Sequence, residues 1–117
     1  MNGKGVNGVF KVGCLNVRGV NREGKKEEVG EMFKSRGLDL LAVSETKLKG
    51  EGEVMFGEYK GVISGVSERV RAREGVGIII SDKWWRYVKK IKRVNARLMW
   101  VRLRFGGESW VFVSAYE

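Results

Sequence analysis

The chain has no histidine, one cysteine and no proline among its 117 residues. Without histidine, the chain cannot complete any mechanism that uses an imidazole base or a histidine-bound metal. The single cysteine, Cys14, excludes an internal disulfide, and nothing indicates an oxidising compartment. Because Cys14 lies in a strand-like run, we expect it to be a small core residue. We have no physical account of the missing proline.

Long apolar runs are also lacking. No segment approaches the ~20 apolar residues that a membrane-spanning helix needs. Residues 1–8 are rich in glycine, asparagine and lysine and lack the apolar centre of a secretory signal. We therefore predict a flexible lead-in over 1–8, a domain over 9–117, and no membrane partner. We expect an intracellular protein, and the nucleus is one compartment that suits its charge.

Positive charge is plentiful. The chain has 23 lysines and arginines against 14 acidic residues, a formal net charge of +9. The segment from Trp84 to Arg104 contains eight basic residues and no acidic one. Such a balance favours a polyanionic partner, and DNA is the partner we expect.

The first half of the chain has the pattern of a β-α-β unit. A strand is predicted over 9–17 and a helix over 22–36, with Asn21 as its N-cap and Gly37 just past its end. The next run, 38–46, is almost continuously apolar, which is typical of a strand buried on both faces. The two strands should therefore be parallel neighbours in one sheet.

This arrangement brings two polar residues together. Asn16 ends the first strand and Glu45 ends the second, so both should emerge at the same edge of the sheet. Alone, Glu45 could be no more than a solvated residue at a strand end. The convergence of the two side chains is the first argument for a functional site.

The second half is dominated by strands. Gly106-Gly107 is typical of a two-residue hairpin turn. Met99, Val101, Leu103 and Phe105 alternate with Trp100, Arg102 and Arg104, which predicts one buried and one basic face. Trp84, Trp85 and Trp100 could stack on bases, but we expect them to be core or edge residues. The remaining predicted segments are a loop over 46–57, strands over 59–64, 75–81, 88–94, 97–105 and 108–116, and a charged loop over 67–74.

Four short segments, in order, carry a family resemblance: Leu15-Asn16-Val17-Arg18-Gly19, Ser44-Glu45-Thr46-Lys47-Leu48, the run from Gly75 to Lys83, and Val113-Ser114-Ala115-Tyr116. With them the chain resembles the N-terminal half of the endonuclease/exonuclease/phosphatase superfamily. It is most similar to the endonucleases of non-LTR retrotransposons and to craniofacial development protein 2-like sequences. The resemblance implies an α/β fold: the N-terminal half of a two-sheet sandwich, with a mixed sheet and an outer helix. It also implies that the domain is truncated.

The resemblance also implies an activity and a site. Members hydrolyse phosphoesters with Mg²⁺, and Mn²⁺ is a plausible substitute. Glu45 matches the metal-binding glutamate, Asn16 matches the asparagine that holds the metal-site network and phosphate, and Tyr116 matches a tyrosine that contacts the scissile phosphate. Arg18 stands where the abasic-site repair enzymes tend to carry aspartate, which favours the retroelement branch.

The further acidic residues and the histidine of the family belong to its C-terminal half. We therefore expect this chain to be an inactive fragment of a DNA endonuclease, with exposed sheet edges and poor solubility. Two alternatives stay open. One is a non-catalytic nucleic-acid-binding remnant, and the other is a phosphatase of the same superfamily.

Overall fold

A computed structural model describes residues 10–67 and 74–116 of the chain. The predicted lead-in over 1–8 and most of the predicted charged loop over 67–74 lie outside the described residues. The elements, in chain order, are β1 (Val12–Asn16), α1 (Lys25–Ser35), β2 (Leu40–Ser44), β3 (Glu51–Phe56), β4 (Tyr59–Ser64), β5 (Val76–Ile80), α2 (Asp82–Trp85), β6 (Val88–Asn95), β7 (Leu98–Phe105) and β8 (Glu108–Ala115).

Strands β1 to β5 form one mixed sheet in the order β1-β2-β5-β4-β3. β1 and β2 are parallel, with Asn16 opposite Ser44, and the other neighbouring pairs are antiparallel. The crossover between β1 and β2 contains α1, as a parallel pair requires. The predicted β-α-β unit and mixed sheet are confirmed.

Apolar side chains leave the five-stranded sheet on both faces. On one face, Leu40, Ile78 and Ile80 pack in a core that includes Met99 and Val101 of the second sheet. On the other face, a second cluster buries α1 against the sheet; its members include Val29, Phe33, Leu41, Val43, Phe56 and Ile79. Alternate residues of β2 and β5 thus serve two cores, which explains why these strands are apolar without interruption.

Strands β6, β7 and β8 form the second sheet, in that order and antiparallel. Gly106 and Gly107, at φ 62° and 82°, make the predicted two-residue turn between β7 and β8. Met99, Val101 and Leu103 are buried, while Arg102 and Arg104 are exposed, so the predicted alternation along β7 is confirmed. The two-sheet α/β sandwich with an outer helix is therefore the observed fold.

Two predicted secondary-structure boundaries were wrong. The segment predicted as a loop over 46–57 contains β3, which pairs with β4 along its whole length. The helix begins at Lys25 instead of residue 22, after Gly24 in the left-handed conformation at φ 82°. Asn21 does not cap it, because the Asn21 side-chain amide donates to the carbonyl oxygen of Lys47 at 2.9 Å.

The predicted burial of Cys14 was also wrong. Its side chain is exposed because β1 is an edge strand, and the residues along it show little burial. Trp84, in contrast, is 7% exposed and donates from Nε1 to the buried carboxylate of Asp39 at 3.0 Å. For Trp84, the predicted core role is confirmed.

Candidate functional site

Asn16 and Glu45 meet at the carboxyl ends of β1 and β2. The Asn16 Nδ2 donates to Glu45 Oε2 at 2.6 Å, and the backbone N–H of Arg18 donates to Asn16 Oδ1 at 3.1 Å. These two hydrogen bonds orient the Asn16 amide, so its nitrogen faces the carboxylate and its oxygen faces the turn that follows β1. The sequence prediction that these two side chains converge is confirmed.

The loops after β1 and β2 continue side by side beyond the strands. The backbone N–H of Gly19 donates to the carbonyl oxygen of Glu45 at 2.6 Å, and the N–H of Val20 donates to that of Thr46 at 3.0 Å. Because these bonds extend the parallel pairing past the sheet, the segment carrying Asn16 and the segment carrying Glu45 are held in register.

Backbone strain is concentrated in these same loops. In the described ranges, the non-glycine residues with positive φ are Arg18 at 54°, Glu45 at 55° and Lys47 at 60°. The left-handed conformation is unfavourable for such residues and persists only where the surrounding structure imposes it. Strain at three positions around one carboxylate is typical of a functional site and unusual for a plain strand end.

The buried side chain of Thr46 connects this loop to the rest of the molecule. Gly75 adopts φ 120°, and a Cβ atom built on it would lie 2.2 Å from Thr46 Oγ1, so a side chain there would displace Thr46. The N–H of Thr46 donates to the carbonyl oxygen of Gly75 at 3.1 Å, and the N–H of Gly75 donates to that of Ala96 at 3.0 Å. Gly75 therefore links the site to the β6–β7 turn.

Tyr116 lies at the same end of the sandwich, beside that turn. Its backbone N–H donates to the carbonyl oxygen of Arg97 at 2.9 Å, and the Arg97 guanidinium lies 5.4 Å from the centre of the Tyr116 ring. Glu74 accepts a hydrogen bond from Arg97 Nε and, with its charge, raises the pKa of Arg97. Within the described residues, no hydrogen bond joins Tyr116 to Asn16 or Glu45.

The described residues offer one metal-ligating side chain at this edge. Glu45 is half-buried, and its Oε1 makes no hydrogen bond within the described part of the chain. Residues 10–67 and 74–116 contain no group of three or more histidine, cysteine or acidic residues that could hold a metal. Mg²⁺ often takes only one or two carboxylates and keeps several waters, so Glu45 fits Mg²⁺ as a single ligand and does not form a closed site.

A cleft of about 370 Å³ is lined by residues of the loops that follow β1 and β2, and neither Asn16 nor Glu45 is among its lining residues. It lies between the β1–α1 loop, the start of α1 and the loop after β2. Four of its lining residues are basic: Arg18, Arg22, Lys25 and Lys47. This cleft was not predicted from the sequence, although two of its cations, Arg18 and Lys47, immediately follow the predicted strand ends. Its charge suits a phosphate group.

Two solved structures of AP endonucleases resemble this fold. The enzyme from Leishmania major superposes with a TM-score of 0.70 at 17% identity, over 92% of this chain and 40% of its own. The enzyme from Archaeoglobus fulgidus gives a TM-score of 0.60 at 18% identity, over 88% of this chain and 40% of its own. The chain has the fold of part of an AP endonuclease.

The chain thus spans about two fifths of the length of these two enzymes, at 40% coverage in each case. No protein-family model matches the sequence, and no curated protein matches it significantly. No helix in the described ranges is long and apolar enough to cross a membrane. At this low identity the likeness is one of fold alone.

Proposed function

We propose that this chain is part of a Mg²⁺-dependent phosphodiesterase, a DNA endonuclease of the retroelement type. The observation that carries the proposal is the Asn16–Glu45 hydrogen bond of 2.6 Å at the carboxyl ends of two parallel strands. The basic cleft in the loops that follow β1 and β2, which includes the strained residues Arg18 and Lys47, supports the proposal. The fold shared with AP endonucleases agrees with it.

Each residue has a distinct role in this proposal. Glu45 supplies one oxygen ligand to the metal, and Asn16 orients the carboxylate. Tyr116 donates a hydrogen bond to the phosphate without competing for the metal, and the basic cleft holds a neighbouring phosphate. A Mg²⁺ or Mn²⁺ ion held by Glu45 would supply positive charge against the phosphate and would make a nearby water more acidic.

We propose that the 117 residues alone do not hydrolyse DNA. The chain has no histidine, and the described ranges contain no group of three or more histidine, cysteine or acidic side chains that could hold a metal. One carboxylate that binds the metal cannot also act as the general base that deprotonates a nucleophilic water. A non-catalytic nucleic-acid-binding remnant is the second candidate, and the basic cleft favours it because phosphate binding there needs no metal.

Mn²⁺ binding distinguishes the metal-dependent endonuclease from the non-catalytic binding remnant. It is measured by electron paramagnetic resonance in the presence of a short DNA duplex. We expect the wild-type chain to bind Mn²⁺ and Glu45→Gln to lose this binding. Asn16→Ala should weaken it by about 10–100-fold, since Asn16 orients the ligand. Glu31→Gln, on the exposed side of α1, is the matched control and should bind like the wild type. Equal Mn²⁺ affinity in all four proteins would leave only the binding remnant.

Plasmid nicking in Mg²⁺ tests the activity itself. The 117-residue chain should be silent, while the longest product of the gene that carries this segment should nick DNA and lose that activity with Glu45→Gln. Nicking by the 117-residue chain alone would contradict the proposed inactivity. A longer product that binds Mn²⁺ through Glu45 but never nicks DNA would contradict the proposed endonuclease function.

A further inference from the structure

The outer face of the three-stranded sheet carries an unusual set of side chains. Register pairs Lys90 with Arg102 across β6 and β7, and Lys92 with Trp100. Arg104 projects from the same face of β7, because alternate residues of a strand share a face. We call this the basic sheet face; its members are Lys90, Lys92, Trp100, Arg102, Arg104, Val111 and Val113.

Within the part of the chain that the structure describes, no acidic side chain pairs with the cations of the basic sheet face. Lys90, Lys92, Arg102 and Arg104 are all exposed, and none forms a salt bridge within the described residues. Like charges directly opposite each other on neighbouring strands destabilise a sheet, and Lys90 and Arg102 are such a pair. An anionic ligand on this face would offset the repulsion between them.

The third strand adds an apolar column to this face. Val111 lies opposite Arg102 and Val113 lies opposite Trp100, and these valines are 55% and 54% exposed. Two rows therefore cross the sheet: Lys90–Arg102–Val111 and Lys92–Trp100–Val113. Each row begins with a cation on β6 and ends with an exposed valine on β8, so the face is basic on one side and apolar on the other.

This division matches the chemistry of a single nucleic-acid strand. A single strand presents phosphates along one side and flat, apolar base faces along the other, whereas a duplex hides its base faces and presents phosphates alone. Cationic grooves beside aromatic or apolar platforms bind single strands without strong sequence preference. We propose that the basic sheet face binds single-stranded nucleic acid, with phosphates on β6 and β7 and bases over Trp100 and the β8 valines.

The basic sheet face is separate from the Asn16–Glu45 site. Ser114, on the opposite face of β8, donates from Oγ to the carbonyl oxygen of Val43 in β2 at 3.0 Å, so that opposite face packs on the five-stranded sheet. The basic sheet face consequently points away from that sheet. The inference needs no metal and does not depend on the proposed endonuclease function.

This inference is tested by fluorescence anisotropy in EDTA, so that no metal contributes to binding. The labelled ligands are dT12, a twelve-residue rU strand and a twelve-base-pair duplex. The protein is the full 117-residue chain at submicromolar concentration. We expect Arg102→Gln/Arg104→Gln to weaken dT12 binding by about tenfold or more. The slope of log affinity against log salt concentration should fall in magnitude by about 1.4, which is the value for two lost phosphate contacts on a single strand. Val111→Ser/Val113→Ser should weaken binding about fivefold without changing the slope, because it removes apolar contacts only.

Two control variants test whether binding belongs to this surface. Lys34→Gln/Arg36→Gln removes the same charge from the exposed end of α1 and should leave affinity within about twofold of the wild type. Glu31→Gln, exposed on α1, should bind dT12 like the wild type, and because the assay contains EDTA, the Mn²⁺ experiment can fail while this one succeeds. Circular dichroism checks that each variant is folded, and the relative affinities for dT12 and the rU strand show which nucleic acid is preferred.

Several outcomes would overturn the inference. Equal losses in Arg102→Gln/Arg104→Gln and Lys34→Gln/Arg36→Gln would mean that net charge alone drives binding. Duplex binding as tight as dT12 binding would remove the argument for exposed bases. Polyglutamate and unlabelled dT12 are compared as competitors at equal concentrations of negative charge. If polyglutamate displaced the labelled dT12 as well as unlabelled dT12 does, the surface would be assigned to an acidic protein.

Discussion

The site depends on a single side-chain hydrogen bond between a neutral donor and a carboxylate. In Asn16→Asp this donor is replaced by a second carboxylate close to Glu45, since Asn16 Nδ2 lies 2.6 Å from Glu45 Oε2. Two like charges about 4 Å apart repel by about 1–4 kcal/mol near a protein surface, and a closer approach costs more. We expect Asn16→Asp to melt at a lower temperature than the wild type in EDTA, and to be stabilised by Mg²⁺ more strongly than the wild type, because a cation between the carboxylates removes the repulsion.

Asn95→Asp is the matched control for this measurement. Asn95 Oδ1 accepts a hydrogen bond from the backbone N–H of Arg97, and a carboxylate oxygen can accept the same bond. Its melting temperature should therefore show little dependence on Mg²⁺. The measurement is a pair of thermal melts, with and without about 5 mM Mg²⁺, which suffices for a weak oxygen site. If Mg²⁺ raised the melting temperature of Asn95→Asp more than that of Asn16→Asp, Asn16 would not face the metal position.

The pattern of apolar residues along the sequence predicted the strands that are buried on both faces. It did not predict the elements whose structure depends on contacts with distant parts of the chain. The apolar runs of β2 and β5 are sufficient to predict two buried strands and, through the crossover, the meeting of Asn16 and Glu45. β3 begins Glu51-Gly52-Glu53, with no apolar alternation at its start, and its strand conformation depends on pairing with β4. Asn21 had the residue type of a helix cap, but its amide binds Lys47, 26 residues later.

The packing of α1 leads to a prediction for that element. A Cβ atom built on Gly30 would lie 2.2 Å from the carbonyl oxygen of Phe56, so the helix approaches the end of β3 through this glycine. Alanine is the better helix former by about 1 kcal/mol, but overpacking against backbone costs about 1–3 kcal/mol or more. We expect Gly30→Ala to lower the free energy of unfolding in urea, whereas Glu31→Ala, exposed on the same helix, should not. Stabilisation by Gly30→Ala would mean that α1 is not seated on β3.

At the scale of the whole molecule, side-chain hydrogen bonds to backbone join the two sheets around the apolar core. Ser114 Oγ donates to the carbonyl oxygen of Val43 at 3.0 Å, and Ser64 Oγ donates to that of Asn95 at 2.7 Å. Arg93 of β6 spans two strands of the other sheet, because its Nε donates to the carbonyl oxygen of Ile63 at 2.8 Å and its Nη2 to that of Gly52 at 3.1 Å. These bonds set the relative position of the sheets, and with it the distance between the site on β1 and β2 and the β6–β7 turn.

Arg93 therefore has a structural role that distinguishes it from the exposed cations of its own sheet. We expect Arg93→Met to reduce the free energy of unfolding by about 2 kcal/mol, because hydrogen bonds to a charged group are worth about 1.5–3 kcal/mol. Arg93→Lys should recover less than half of that loss, since an ammonium group cannot reproduce the fork that reaches Ile63 and Gly52 together. Arg102→Met, which removes an exposed cation without a salt bridge in the described ranges, should stay within about 0.5 kcal/mol of the wild type. Urea denaturation followed by tryptophan fluorescence measures all three, and equal effects of Arg93→Met and Arg102→Met would show that Arg93 does not join the sheets.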